Sequence, residues 1–314
     1  MNDIKKDTAT AEKQNETKNA PSFPVLRAAV IGALGKTGRV LSAALNESPD
    51  CRYVFGIDRN APETYYPEAY YSDKQPCGIN RNETNVPIFT SLAAFLNDTQ
   101  ENGKIPKRFL CDVIIDFSSR DGLAERLGFA KTYNLPLVLA TTGFSASDQT
   151  RIEETAKTIP IFQAANLSLG ANLLKMLCVF AQRALGQNFD TEIAEYHHRE
   201  KKDAPSGTAM MIAEALRKAK ETQCGTKIRF SYGRNGTNSS RNKNEIGIHS
   251  VRGGTIAGTH EAIFAGDDET IVIRHEAQSR KIFALGAIEA ARFLIEKAAG
   301  KYGMEDLLHE KTGF

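Results

Sequence analysis

The sequence has little net charge, few cysteines and no long apolar run, and each scarcity removes a class of function. Lys and Arg total 40 against 38 Asp and Glu, a formal charge of +2, so the chain as a whole generates no field that gathers nucleic acid or an anionic membrane. The 5 cysteines, at positions 51, 77, 111, 178 and 224, form no C-x-x-C pair and are odd in number. That speaks against a secreted disulfide framework and for reduced thiols in a cytosol. A membrane helix needs about 20 consecutive apolar residues, and Arg27 and Lys175 interrupt the two best stretches. No internal repeat is visible. The expectation is a cytoplasmic protein with neither a nucleic-acid nor a membrane partner.

What is present is ordinary globular material. The chain has 314 residues, of which 41% are hydrophobic and 25% charged, enough for roughly two cores. Met1 to Pro24 mixes lysines with acids and carries almost no large apolar residue before Phe23. It reads as a disordered tail, and it has neither the apolar stretch of a secretory signal nor the Arg-rich, acid-poor character of a transit peptide.

From Val25 onward, β-rich apolar runs alternate with helical stretches. Strands are expected at Val25–Ile31, Tyr53–Ile57, Asp112–Phe117, Leu135–Ala140 and Ile159–Ala165, and helices near 37–47, 121–133 and 147–157. Runs that are apolar on consecutive residues belong to a parallel sheet covered on both faces. Residues 25–168 therefore read as a doubly wound α/β nucleotide-binding domain, with an irregular Pro- and Tyr-rich connection over Ala61–Glu83. After Asn166 the rhythm changes: a helix over Leu173–Leu185, a strand at Thr191–Glu195, a helix from about Thr208, then strand-like segments at Lys227–Ser231, Gly247–Val251, Thr255–Phe264 and Thr270–Ala277. Residues 169–277 read as an α+β domain with a mostly antiparallel sheet. An amphipathic helix over Ile282–Ala299, stopped by Gly300, follows.

Two segments carry chemistry. The first is the turn Gly32-Ala33-Leu34-Gly35-Lys36-Thr37-Gly38, which follows a strand and opens a helix, the context a dinucleotide fingerprint requires. Its glycines let backbone N–H groups approach a pyrophosphate, favoured by the positive end of the helix. Leu34 stands where another glycine is common. Asp58, 20 residues beyond Gly38, ends the next strand, where an acid accepts hydrogen bonds from ribose hydroxyls. Arg59 beside it favours a 2′-phosphate, so the pair leaves NADH against NADPH open.

The second is Glu195-Tyr196-His197-His198-Arg199-Glu200-Lys201-Lys202-Asp203-Ala204-Pro205-Ser206-Gly207-Thr208-Ala209, which holds two of the six histidines. Adjacent side chains on an extended segment point to opposite sides, so His197 and His198 do not share a metal, and no metal is expected. Ser206, Gly207 and Thr208 open a helix whose free N–H groups can hold a carboxylate, with Lys201 and His198 adding positive charge. A histidine able to exchange protons beside such an anion hold suits catalysis on a small carboxylate.

The glycine turn and the histidine string together resemble the 4-hydroxy-tetrahydrodipicolinate reductase (dihydrodipicolinate reductase) family of lysine and diaminopimelate synthesis. Thr141-Thr142-Gly143-Phe144, Ala164-Ala165-Asn166, Val251-Arg252-Gly253-Gly254 and Gly258-Thr259-His260 add to the likeness, which spans about residues 25–300. The resemblance implies a Rossmann-type domain completed by the C-terminal segment 278–314, a second domain that builds a homotetramer, and reduction of a small dicarboxylate with NADH and/or NADPH. It further implies that Gly32, Ala33, Leu34, Gly35, Lys36 and Thr37 cradle the pyrophosphate and that Asp58 and Arg59 meet the adenosine ribose. Ala140, Thr141 and Thr142 with Ala164, Ala165, Asn166 and Leu167 would line the nicotinamide side. His197 and Lys201 would handle protons, and His198, Gly207, Thr208 and Thr142 would hold the substrate carboxylates. Leu34, Ala140 and Leu167 depart from the family's frequent Gly, Gly and Phe, all at cofactor positions.

Two other readings stand beside this one. Another Rossmann oxidoreductase of amino-acid metabolism, such as a semialdehyde dehydrogenase, would need an activated cysteine. A dinucleotide-sensing regulator would use the cations Arg229, Arg234, Arg241 and Lys243 around Phe230 and Tyr232, although the interleaved Gly and Asn read more simply as a surface loop.

Overall fold

The computed structural model describes residues 25–61, 86–99 and 104–313; the tail 1–24 and nearly all of the connection 61–83 lie outside them. The chain opens with β1 (Leu26–Ile31), α1 (Lys36–Glu47), β2 (Cys51–Ile57), β3 (Ile88–Phe89) and α2 (Leu92–Thr99). A 3-10 turn at Lys107–Phe109 leads to β4 (Val113–Asp116), α3 (Leu123–Thr132), β5 (Leu137–Leu139), α4 (Ala146–Ala156) and β6 (Pro160–Gln163). Next come α5 (Leu169–Leu185), β7 (Asp190–His197), α6 (Gly207–Cys224), β8 (Arg229–Tyr232) and β9 (Glu245–Arg252). The chain ends with β10 (Thr259–Ala265), β11 (Thr270–Glu276), α7 (Lys281–Ile295), β12 (Gly300–Tyr302) and α8 (Met304–Thr312).

The first sheet has the order β12-β6-β5-β4-β1-β2-β3, and every ladder in it is parallel. Its strands are apolar on consecutive residues because both faces are covered. Val113 and Ile115 enter one core with Leu41 and Leu45 of α1 and with Ala287 and Leu294 of α7. Ile114 enters the other with Phe95 of α2, Leu127 of α3 and Ile152 of α4. Phe95 anchors the second core, stacked on Phe55 at 4.2 Å between ring centres. Strand order reverses between β1 and β4, and in open parallel sheets that switch point opens the crevice where ligands bind.

The second sheet runs β11-β10-β7-β9-β8. Its inner face, including Ile193, Ile246, Ile248, Ala262 and Phe264, packs on α5 and α6. The expectation of a mostly antiparallel sheet needs correction: β10 is antiparallel to both β11 and β7, but β9 is parallel to both β7 and β8. The reason is connectivity. Helix α6 carries the chain back between β7 and β8, as a parallel crossover requires, and the segment 233–244 returns it again before β9.

The end of the chain differs from expectation in a second way. Helix α7 stops at Ile295, and Gly300 does not terminate it but begins β12, which pairs in parallel with β6. The C-terminal segment thus adds the edge strand of the first sheet, and α7 and α8 cover one of its faces.

Candidate active site

The glycine turn sits at the mouth of the switch-point crevice. Gly32 has φ +79°, and a Cβ there would lie 2.8 Å from the Phe117 carbonyl carbon and oxygen, so only glycine lets the turn after β1 approach the end of β4. A Cβ on Gly38 would lie 2.0 Å from the Gly32 oxygen, which makes that glycine the condition for seating α1 on the turn. The first turn of α1 has no acidic residue, and its N-cap Gly35 supplies no side-chain cap. Its N–H groups therefore remain available to an anion, which fits a pyrophosphate.

Asp58 is buried at the end of β2, and its two oxygens accept the backbone N–H groups of Leu34 and Asn60, each at 2.9 Å. The carboxylate ties the glycine turn to β2 and keeps one lone pair per oxygen for a ribose hydroxyl. Lys36 and Arg59 are exposed.

The opposite wall is braced from beneath. Asp116, fully buried at the end of β4, pairs with Arg126 at 2.6 Å. The Arg126 guanidinium also donates to the Asp121 and Ser119 carbonyls, both at 2.6 Å, which fixes the loop after β4. Burial pushes the Asp116 carboxyl up, and Arg126 opposes that. Thr141 is buried with its hydroxyl 3.4 Å from the Ser118 carbonyl, whereas Thr142 is exposed. In the segment after β6, Ala165 is exposed and Ala164 buried. The Leu167 side chain is buried in the core shared with α7, so only its backbone is available to the crevice.

The histidine string meets this crevice from the second sheet. Asn166 Nδ2 donates to Thr208 Oγ1 at 2.9 Å, joining the segment after β6 to the start of α6. That donation occupies the oxygen of Thr208 and leaves its own proton free for an acceptor such as a carboxylate. Ser206 caps α6, its hydroxyl accepting from Ala209 N at 3.1 Å. Gly207 beside it is exposed. His198 and Lys201 are half-buried, and Lys201 Nζ pairs with Asp203 Oδ1 at 2.9 Å.

His197 is the buried member of the histidine pair and its Nδ1 meets Glu195 Oε2. Strand period 2 puts residues 195 and 197 on the same face. Glu195 also accepts a fork from Arg252 at 2.7 and 3.0 Å, and Ser206 N at 3.3 Å. Burial raises the Glu195 pKa, but Arg252, Ser250 and His197 outweigh it and the net direction is down. For His197, burial wins over Glu195 and lowers the pKa. His260 Nε2 lies 2.9 Å from the Ser206 hydroxyl, and burial, helped by His197, brings its pKa down to about 4.

Glu195, Arg252 and His260 received no role from the sequence, and Ser206 was read only as opening the helix that holds a carboxylate. The signal for Glu195 was a carboxylate two residues before a histidine on an alternating strand. Arg252 and His260 lie on β9 and β10, and nothing local predicts that both flank β7.

Three of the five cysteines and two of the four cations that the competing readings need are otherwise engaged. Burial pushes the Cys111 and Cys178 thiols up to about 12 and raises that of Cys51, the reverse of an activated nucleophile. Arg234 and Arg241 are bound to Glu192 at 2.8 and 2.9 Å, with Arg234 also on Glu245 and Arg241 also on Asp190. Burial acts to raise the Glu192 carboxyl, but hydrogen bonds from Arg234, His249 and Arg241 hold it down to about 2. A cationic patch so neutralised is a poor nucleic-acid surface.

Comparison with known proteins agrees with the geometry. Residues 26–167 match the family described as dihydrodipicolinate reductase, N-terminus, and residues 170–308 match its C-terminus. A 4-hydroxy-tetrahydrodipicolinate reductase from Caldanaerobacter subterraneus subsp. tengcongensis is 40% identical over 284 residues, 90% of this chain and 98% of its own. The enzyme of the same name from Clostridium tetani is 35% identical, over 91% of this chain and 98% of its own. Among solved structures, a dipicolinate-bound dihydrodipicolinate reductase from Paenisporosarcina sp. TG-14 superposes with a TM-score of 0.66 at 22% identity, over 90% of this chain and 99% of that one. The doubly wound parallel sheet with its glycine turn, the histidine string beside it and these matches place the chain in the dihydrodipicolinate reductase family of oxidoreductases.

Proposed function

We propose that this chain reduces 4-hydroxy-tetrahydrodipicolinate to tetrahydrodipicolinate in diaminopimelate and lysine biosynthesis, as a cytoplasmic homotetramer. The observation that carries the reading is the hydrogen bond between Asn166 and Thr208, which holds the start of α6 against the cofactor crevice at the place where a hydride donor and a carboxylate would meet. Domain division follows the same logic: 25–168 with 278–314 form the nucleotide domain, 169–277 the substrate and assembly domain.

A bound pyridine nucleotide supplies hydride. Gly32, Ala33, Leu34, Gly35, Lys36 and Thr37 hold its pyrophosphate, Asp58 and Arg59 its adenosine ribose, and residues 140–142 with 164–167 its nicotinamide side. The open face of Asp58 suits ribose hydroxyls and Arg59 suits a 2′-phosphate, so both NADH and NADPH are accepted.

Gly207 N–H, the Thr208 and Thr142 hydroxyls and His198 hold the substrate dianion. The overall change removes the 4-hydroxyl as water, adds hydride at ring carbon 4 and adds a proton at the adjacent carbon, with the cyclic imine as electron sink. His197 and Lys201 handle the protons: bound carboxylates favour the charged form of His197, while its burial and the nearness of Lys201 oppose it.

The test is a coupled assay with freshly generated tetrahydrodipicolinate precursor, following NADH and NADPH oxidation separately. Turnover is expected with both; no turnover with NADH and none with NADPH defeats the assignment. In the same assay His197→Ala and Lys201→Ala should each lower kcat by roughly 10²-fold or more, as for loss of a general acid or base, with nucleotide KM little changed.

A further inference from the structure

The carboxylate of Glu195 is the most deeply buried acid beside the reacting groups, and no role in the proposed reaction uses it. Its side chain is 0% exposed on β7, and besides Ser250 of β9 it is held by groups that surround the site. Arg252 of β9 grips both oxygens at 2.7 and 3.0 Å, and the same guanidinium donates to the Asp203 carbonyl at 2.7 Å. Ser206 N, at the N-cap of α6, donates to Oε1 at 3.3 Å. Oε2 takes His197 Nδ1.

A carboxylate gripped by a guanidinium stays ionised and is only an acceptor, so the nitrogen facing it must carry the proton. This leaves Nε2 of His197 as the exchangeable nitrogen. Its surroundings agree: Gly258 lies against Nε2 with φ +155°, and a Cβ built there would stand 3.1 Å from that nitrogen and 3.4 Å from Cδ2. Glycine at 258 keeps the ring edge uncrowded while Glu195 holds the opposite edge.

We propose that Glu195 is a positioning residue that fixes His197 as its Nδ1–H tautomer and presents Nε2 to the substrate, with Arg252 and the Ser206 N–H holding the carboxylate in place. The proposal rests on the assignment of His197 to proton handling. The groups facing His197 are Glu195 on its own strand, Arg252 on β9, His260 on β10 with its ring centre 5.2 Å away, and Lys201 in the following loop. His275 of β11 faces His260 in turn. Of these, Glu195 alone favours protonation of His197. Replacing it by Gln removes the anion; Ser206 N and Arg252 Nη2 both donate to the Oε1 position, so the amide oxygen belongs there and the NH2 group faces Nδ1, which moves the ring proton to Nε2.

Selective 15N-histidine labelling of the full chain tests this, with the His197 resonances assigned by their loss in His197→Gln. In the free wild-type protein the neutral ring should be the Nδ1–H tautomer; an Nε2–H ring overturns the proposal without recourse to any Glu195 variant. In Glu195→Gln the ring should switch to Nε2–H, kcat should fall on the order of 10²-fold with substrate KM changed far less, and the His197 limb of the kcat–pH profile should move to lower pH. Glu195→Asp keeps the charge and should recover part of kcat. An unchanged tautomer and pH profile in Glu195→Gln, with loss confined to thermal stability, would show a purely structural carboxylate. The resonance measurements need no turnover, so a wild-type enzyme inactive on the precursor counts against the proposed reaction alone.

Discussion

At the scale of single residues, the site shows how burial assigns different tasks to chemically similar groups. Asp58 and Glu195 are both buried acids, but Asp58 is tied to backbone N–H groups in the glycine turn and Glu195 to a guanidinium and an imidazole. Asp58→Ala should therefore loosen the turn and remove the ribose acceptor. We expect KM for NADH to rise about tenfold or more, equivalent to roughly 1.4 kcal/mol, while KM for NADPH rises less because the anion that disfavours a 2′-phosphate is gone. Equal changes for both nucleotides would contradict that role. His260 makes the pH prediction. Its folded pKa of about 4 lies below the ordinary 6.5, so the unfolded chain binds more protons between those values. The resulting stability is full above 6.5 and is lost as pH falls toward 4, on the order of 3 kcal/mol. Urea midpoints at pH 7 and pH 4.5 should differ more in wild type than in His260→Gln; identical differences would remove His260 as the cause.

At the scale of elements, the crevice depends on close backbone approaches. Helix α7 crosses the segment after β6 so tightly that a Cβ on Gly286 would lie 1.7 Å from the Leu167 carbonyl oxygen. Gly286→Ala must push α7 off the segment that carries Asn166, and overpacking of this kind costs about 1–3 kcal/mol. A lower urea midpoint together with a raised substrate KM is the expected pair of outcomes, since the Asn166–Thr208 bond moves with that segment. The helices and strands of the first sheet were mostly legible in the sequence because covered parallel strands are apolar on consecutive residues. β3, α2, β12 and α8 were not read. Two of these strands, Ile88–Phe89 and Gly300–Tyr302, are edge strands of two and three residues, too short to show any period.

At the scale of the whole molecule, the second sheet has one face on α5 and α6 and, among the described residues, an opposite face with no helix on it. On that outer face Ile263 of β10 pairs with Val272 of β11, which is 53% exposed. Val251 of β9, 42% exposed, lies on the same face, and an uncovered sheet face carrying more than one exposed β-branched residue fits the proposed homotetramer. Sedimentation velocity should give a tetramer for wild type and smaller species for Val272→Asp, because a buried unpaired carboxylate opposes assembly; a wild-type monomer would refute the assembly. Ionic contacts of Arg234 and Arg241 with Glu192 cross the same sheet, linking the 233–244 segment to β7.

The sequence by itself determined the layered α/β architecture, the glycine turn and the histidine string, because these are local: a glycine spacing, a strand period and a capped helix each act over fewer than about fifteen residues. It also carried the family resemblance, since the motifs that define the family are contiguous. Tertiary structure alone decided that β9 runs parallel to β7, that Gly300 starts a strand rather than ending a helix, and that Arg252 and His260 converge on Glu195 and His197. Those outcomes depend on which strands become neighbours, and strand order is settled by burial and connection length across the whole domain. The buried carboxylate beside His197 was in the sequence from the start, but only the packing of β7, β9, β10 and α6 around it made it an acceptor with a fixed partner.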